Sequence, residues 1–110
     1  MSQTIFSVPK TDTGRSDSFQ LYASDPNEDT FSVTLDITNA TVEICCTNDP
    51  RAETDAENAA WKVVESWAAT DTKQIPTLDV QYWCFNVPTN SGSVQGWVNT
   101  VDGRNLKRFS

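Results

Sequence analysis

Apolar and polar residues alternate in several stretches of this chain, most clearly at Phe31, Val33, Leu35 and Ile37 and again at Val42, Ile44 and Cys46. A period of two marks a strand with one face buried. The pattern predicts strands over 4–8, 18–22, 31–37, 41–47, 78–87, 93–100 and 104–109. Between them lie the turn-forming stretches "DTGRSD", "SDPNED", "TNA", "PTNSG" and "VDGR", the last with the Asp-Gly pair that suits a type I′ hairpin. The expected class is all-β, an antiparallel β-sandwich of jelly-roll or Ig-like type with about 7–8 strands.

One segment supports two readings. "DPRAETDAENAAWKVVESWAAT", 49 to 70, reads as a helix capped by Asp49, with Pro50 in the first position and Ala52, Ala56, Ala60, Val63 and Trp67 on one stripe. It also reads as a polar loop to about Asn58, followed by a strand with Trp61, Val63 and Trp67 on one face. The loop and strand are preferred, because a lone helix among short strands must find a face of its own to cover.

Composition agrees with the strand pattern. Thr, Ser and Asn supply 32 of the 110 residues, which favours strands and turns over helices. A chain of this length holds one core, so residues 1–110 are read as a single domain. The segment 1–10, apolar at Ile5, Phe6 and Val8, suits either a first strand or an arm that adds a strand to a neighbouring copy.

Charge narrows the partners. The net charge is −7 and there is no histidine; an acidic surface repels phosphate backbones and anionic lipid, which argues against nucleic acid and membrane partners. The start lacks the basic and long apolar regions of a signal peptide, so the chain is expected to be made and folded in a cytoplasm. The first 103 residues carry 5 basic and 15 acidic groups, whereas Arg104, Lys107 and Arg108 make the segment 104–110 basic. That end is either a subunit contact or an edge strand protected by its charges. Cys45, Cys46 and Cys84 are odd in number and unevenly spaced, and are read as free thiols. As strand neighbours, Cys45 and Cys46 face opposite sides.

Candidate chemistry is sparse. Without histidine there is no Ser-His-Asp or Cys-His arrangement and no imidazole metal site. The acids Asp49, Glu53, Asp55 and Glu57, and Asp25 with Glu28 and Asp29, lack the spacing of a calcium loop and are read as solvated loop residues. Four glycines, Gly14, Gly92, Gly96 and Gly103, form no phosphate loop. Trp61, Trp67, Trp83 and Trp97 offer either a sugar-stacking platform or core and interface packing. Packing is preferred, with Trp97 and the inward residues of "LDVQYWCFNV" as core. No catalytic, cofactor-binding or metal-ligating residue is assigned, and no enzymatic activity is expected.

The ordered series "ATVEICCTNDP", "AAWKVVESW", "IPTLDVQYWCFNV" and "PTNSGSVQGWV" resembles a family of small virion proteins of tailed bacteriophages. The resemblance covers 40 to 98; the end "RNLKRFS" goes beyond it and the first thirty residues lie outside it. It implies a β-sandwich that decorates or cements the capsid, in contact with the major capsid protein or other virion proteins and forming a homo-oligomer on the particle. A neck, tail or fibre component, or a carbohydrate-binding module contacting host glycan, is the alternative. The family brings no catalytic motif with it.

Overall fold

The computed structural model describes residues 2–4, 10–21, 30–76, 80–99 and 106–109. Two strands of 18 residues each, β4 (Thr30–Thr47) and β7 (Tyr82–Asn99), run antiparallel along their whole length, from Ser32 opposite Asn99 to Thr47 opposite Tyr82. The shorter strands flank this ribbon. On the β4 side lie β6 (Asp71–Pro76), against residues 30–35, and β5 (Lys62–Trp67), against residues 42–46. On the β7 side lie β1 (Ser2–Thr4), β2 (Gly14–Arg15) and β3 (Ser18–Leu21), with β8 (Leu106–Phe109) outside β3. All pairings are antiparallel.

The all-β, antiparallel expectation therefore holds, and the strand count is corrected. Among the described residues six strands reach four residues, against seven or eight expected, with β1 and β2 shorter. The difference arises because 31–37 and 41–47 are one strand, as are most of 78–87 and 93–100. "TNA" and "PTNSG" are not reversals. They are corners at which both long strands bend together, because the residues on each side of "PTNSG" pair with β4 and not with each other.

A change of phase makes the corner. Along β4 the residues of the hydrophobic core are Phe31, Val33 and Leu35, then Ala40, Val42, Ile44 and Cys46; along β7 they are Trp83, Phe85 and Val87, then Val94 and Val98. Each strand switches from odd to even, and the pairing register shifts between Thr38 and Ala40 and again between Thr41 and Glu43. Bulges of this kind bend a strand and exchange its faces. Asn39 adopts φ 50° at the bend, in the left-handed region that Asn tolerates. Gly92 is needed for close approach, since a Cβ there would lie 2.0 Å from the Thr38 carbonyl oxygen.

The bend folds the ribbon onto itself. The fifteen steps from Phe31 to Cys46 would span about 50 Å if straight. Yet Trp83, opposite Cys46, meets Phe31 edge to face with ring centroids 5.0 Å apart. Phe19 stacks on Phe85 at 5.9 Å in the same core, which also takes in Trp67 and Ile75. Trp83 and the inward residues of its strand are core as expected. Trp97 is not: it is only partly buried and stands on the outer face, because Val94, Gly96 and Val98 occupy the inward row. A Cβ at Gly96 would approach Leu35 Cδ2 to 2.5 Å, so that row is already full.

Residues 49–60 are a loop with one short helix, α1 (Arg51–Thr54), and a single 3-10 turn over Ala56–Asn58, after which β5 follows. The loop-and-strand reading stands, with one correction. Trp61, Val63 and Trp67 do not share a face, because a bulge where Ile44 and Cys45 pair with Glu65 and Val63 turns Val64 and Trp67 inward and leaves Val63 48% exposed.

Candidate functional site

The fold leaves two outer faces and several edges, and among the predicted contact residues Lys107 and Arg108 lie on one of these edges. Ile5, Phe6, Val8 and Arg104 lie outside the described residues, as do Asp25, Glu28, Asp29 and the "VDGR" turn. Lys107 and Arg108 lie on β8, opposite Gln20 and Phe19, at the end of the main strand order. Among the described residues, Leu106–Phe109 of the basic end is thus the outermost strand of the chain's own sheet, paired with β3. Ser2–Thr4 pairs with Trp97–Asn99 of the same chain, so this part of the N-terminal segment acts as a first strand.

The acids of 49–57 work on their own loop. Asp49 forms an ion pair with Arg51 at 2.7 Å and accepts the backbone N–H groups of Arg51 and Ala60, each at 3.0 Å. The Arg51 guanidinium and these N–H groups hold the Asp49 carboxyl well below the usual carboxylate range. Asn58 donates to both oxygens of Asp55, and the Tyr82 hydroxyl donates to Glu53, which pushes the phenol up. Elsewhere on the surface, Lys73 bonds Glu65 and the Ser66 carbonyl and sits 5.4 Å from the Trp67 ring centre. Among the described residues no group of three or more His, Cys, Asp or Glu side chains converges to hold a metal.

The first outer face is built by β6, the first half of β4 and the second half of β7. Its central row runs Thr72, Thr34, Trp97, with the Thr34 and Thr72 hydroxyls hydrogen-bonded at 2.8 Å. Ser32 and Gln74 lie on one side of the row and Asp36 and Gln95 on the other. The result is a hydroxyl- and amide-rich surface around one partly exposed indole.

The second outer face lies over the other half of the ribbon. Cys45 stands directly opposite Cys84, and Arg15, opposite Asn86 on β2, donates to the Cys84 sulfur at 3.6 Å. The same guanidinium lies 5.7 Å from the ring centre of Trp61, whose indole N–H is anchored on the Ala56 carbonyl at 2.8 Å. All three cysteines are free and buried, as expected for thiols. Cys46 belongs to the core on the inner side, where burial pushes its thiol up. Beside Arg15 opens a cavity of about 240 Å³ lined by Ser16, Asp17, Ala52, Glu53 and Glu57. Arg15, a single cation within a turn-like stretch, stands in no pattern from which its role could be read.

No protein family and no curated protein matches the chain by sequence. Among solved structures, the SPBc2 prophage-derived protein YomS is similar at 14% identity and TM-score 0.59, covering 91% of this chain and 92% of that one. A mutant of a family 29 carbohydrate-binding module is similar at 10% identity and TM-score 0.42, covering 100% and 93% of the two chains. The first likeness shows a shared fold. No helix among the described residues is long and apolar enough to cross a membrane.

Proposed function

We propose that the chain is a non-enzymatic structural protein of a tailed-phage particle, decorating or cementing the capsid through contacts with the major capsid protein or other virion proteins. In this reading the folded sheet is a β-sandwich of jelly-roll or Ig-like type, made in the host cytoplasm and carried on the virion as a homo-oligomer. The observation that carries it is the likeness of fold to a prophage-derived protein across nine-tenths of both chains, which agrees with the resemblance of residues 40 to 98 to small phage virion proteins. The work of such a protein is to bridge subunits by many weak contacts multiplied by symmetry. Co-sedimentation of the purified protein with emptied phage capsids tests it, with saturable binding expected. Absence of binding to capsid, neck and tail preparations alike would overturn it.

One observation favours a second reading, in which the outer face around Trp97 binds glycan. An indole stacks on the apolar face of a sugar ring while hydroxyl and amide groups meet its oxygens, and Thr34, Thr72, Gln74 and Gln95 surround Trp97 in the register. Glycan-array binding by the native protein, lost in Trp97→Ala, is the expected outcome of this reading. An array with no signal removes it.

A further inference from the structure

We propose that Cys45 and Cys84 form an oxidation site, at which a peroxide-class oxidant converts the two thiols into a cross-strand disulfide joining β4 to β7. The proposal is independent of the virion and glycan readings. Its basis is geometric. The two residues are Cα partners in the central ribbon, and directly opposed residues of an antiparallel pair stand about 4.5–5.5 Å apart at Cα. A disulfide accepts roughly 4.4–6.8 Å. Cys46 takes no part, because it points into the core from the other side of β4.

The surroundings divide the roles. The facing Cys84 thiol and the nearby Arg15 charge hold the Cys45 thiol below its usual value, while the facing Cys45 thiol and burial push Cys84 up. In the proposed sequence Cys45 attacks first and Cys84 resolves. In the first step the Cys45 thiolate attacks one oxygen of hydrogen peroxide, the O–O bond breaks, and Cys45 becomes a sulfenic acid as hydroxide leaves. In the second, the Cys84 sulfur attacks the Cys45 sulfur, the S–O bond breaks, and the departing hydroxide leaves as water with the Cys84 proton. Two thiols and one peroxide give one disulfide and two waters.

Access is the controlling feature. Cys45 is 2% exposed and Cys84 is fully enclosed, but the cover is thin at one point. Arg15 is the residue that both lines the 240 Å³ cavity and donates to the Cys84 sulfur, and so links the two. A molecule the size of peroxide fits that cavity, and displacement of the Arg15 side chain is the proposed route from it to the thiols. A bulky disulfide such as oxidised glutathione does not fit so readily, which makes peroxide the reagent of choice.

The test is intact-mass measurement of the folded full-length protein after treatment with excess hydrogen peroxide, followed by digestion without reductant. The expected result is a loss of two hydrogens, a peptide joining Cys45 to Cys84, and return of the original mass with a thiol reductant. Cys46→Ser should bridge like the native protein. Cys84→Ser should lose the bridge and carry a Cys45 sulfenic acid that a dimedone probe captures. A folded native protein that shows no two-hydrogen loss, or whose bridge includes Cys46, overturns the proposal; because the native chain itself gives this readout, the result does not depend on any variant folding.

Discussion

Replacing Trp83 and Trp97 by alanine, separately, tests whether the ribbon folds back on itself. Trp83 is 1% exposed and packs edge to face on Phe31 from the far end of the sheet. A buried indole removes about 200 Å² from water, worth about 5 kcal/mol at ~25 cal/mol/Å². The ring pair adds roughly 0.5–1.5 kcal/mol, and measured Trp-to-Ala core losses run about 3–5 kcal/mol. Trp97 is only partly buried, so about half the area term, roughly 2.5 kcal/mol, is at stake. Urea unfolding followed by far-ultraviolet circular dichroism, which does not depend on the lost fluorophore, should place Trp83→Ala about 2 kcal/mol or more below Trp97→Ala. Equal losses, or a larger loss for Trp97, would refute the assignment of inner and outer rows and with it the corner.

Gly92→Ala should destabilise strongly, by at least the ~1–3 kcal/mol of an overpacked site, because the new Cβ meets the Thr38 backbone and not a movable side-chain end; thermal unfolding reads it, and a neutral outcome would mean the strands do not approach there. Acidification should loosen the 49–60 loop: the Asp49 carboxyl is depressed by Arg51 and two N–H groups, so its contribution is complete above the ordinary value of about 3.8 and is lost as pH falls below it. Amide exchange at Ala60 is the probe, and Asp49→Asn should show the faster exchange at neutral pH. Replacing Arg104, Lys107 and Arg108 by glutamine should weaken particle binding at low salt and matter less as the Debye length shrinks from ~10 Å at 0.1 M to ~3 Å at 1 M; equal binding at every salt concentration would leave the basic end as a protected edge only.

Much of the fold was legible in the alternation. Phe31 to Ile37 and Val42 to Cys46 were readable as half-buried strands, and β5 was found after a polar loop despite a competing helical stripe. What was misread was the meaning of the breaks. "TNA" and "PTNSG" have the residues of turns, and local composition does not say whether the chain reverses or only bends, since that depends on which strand the flanks pair with. The contact residues were less legible. Arg15 carries no pattern, and its partners Cys84 and Trp61 come from distant stretches brought together by β2 and β5.

The phase of the alternation did hold the missing information. Inward positions in β4 are odd before the corner and even after it, and β7 makes the same exchange, from Trp83, Phe85 and Val87 to Val94 and Val98. Two strands that slip by one residue at facing positions must pair through the slip, because a single slipped strand would set its apolar row against its partner's polar one. Gly96 hides the signal in β7: it occupies an inward position without an apolar side chain, so the large ring beside it looks like the core residue. Once the phase is followed through Gly96, Trp97 falls on the outer row with Gln95, facing away from the core. The same slip that closes the core therefore sets an indole on a hydroxyl-rich face, and this is why Trp97→Ala tests both the stability argument and the proposed glycan reading.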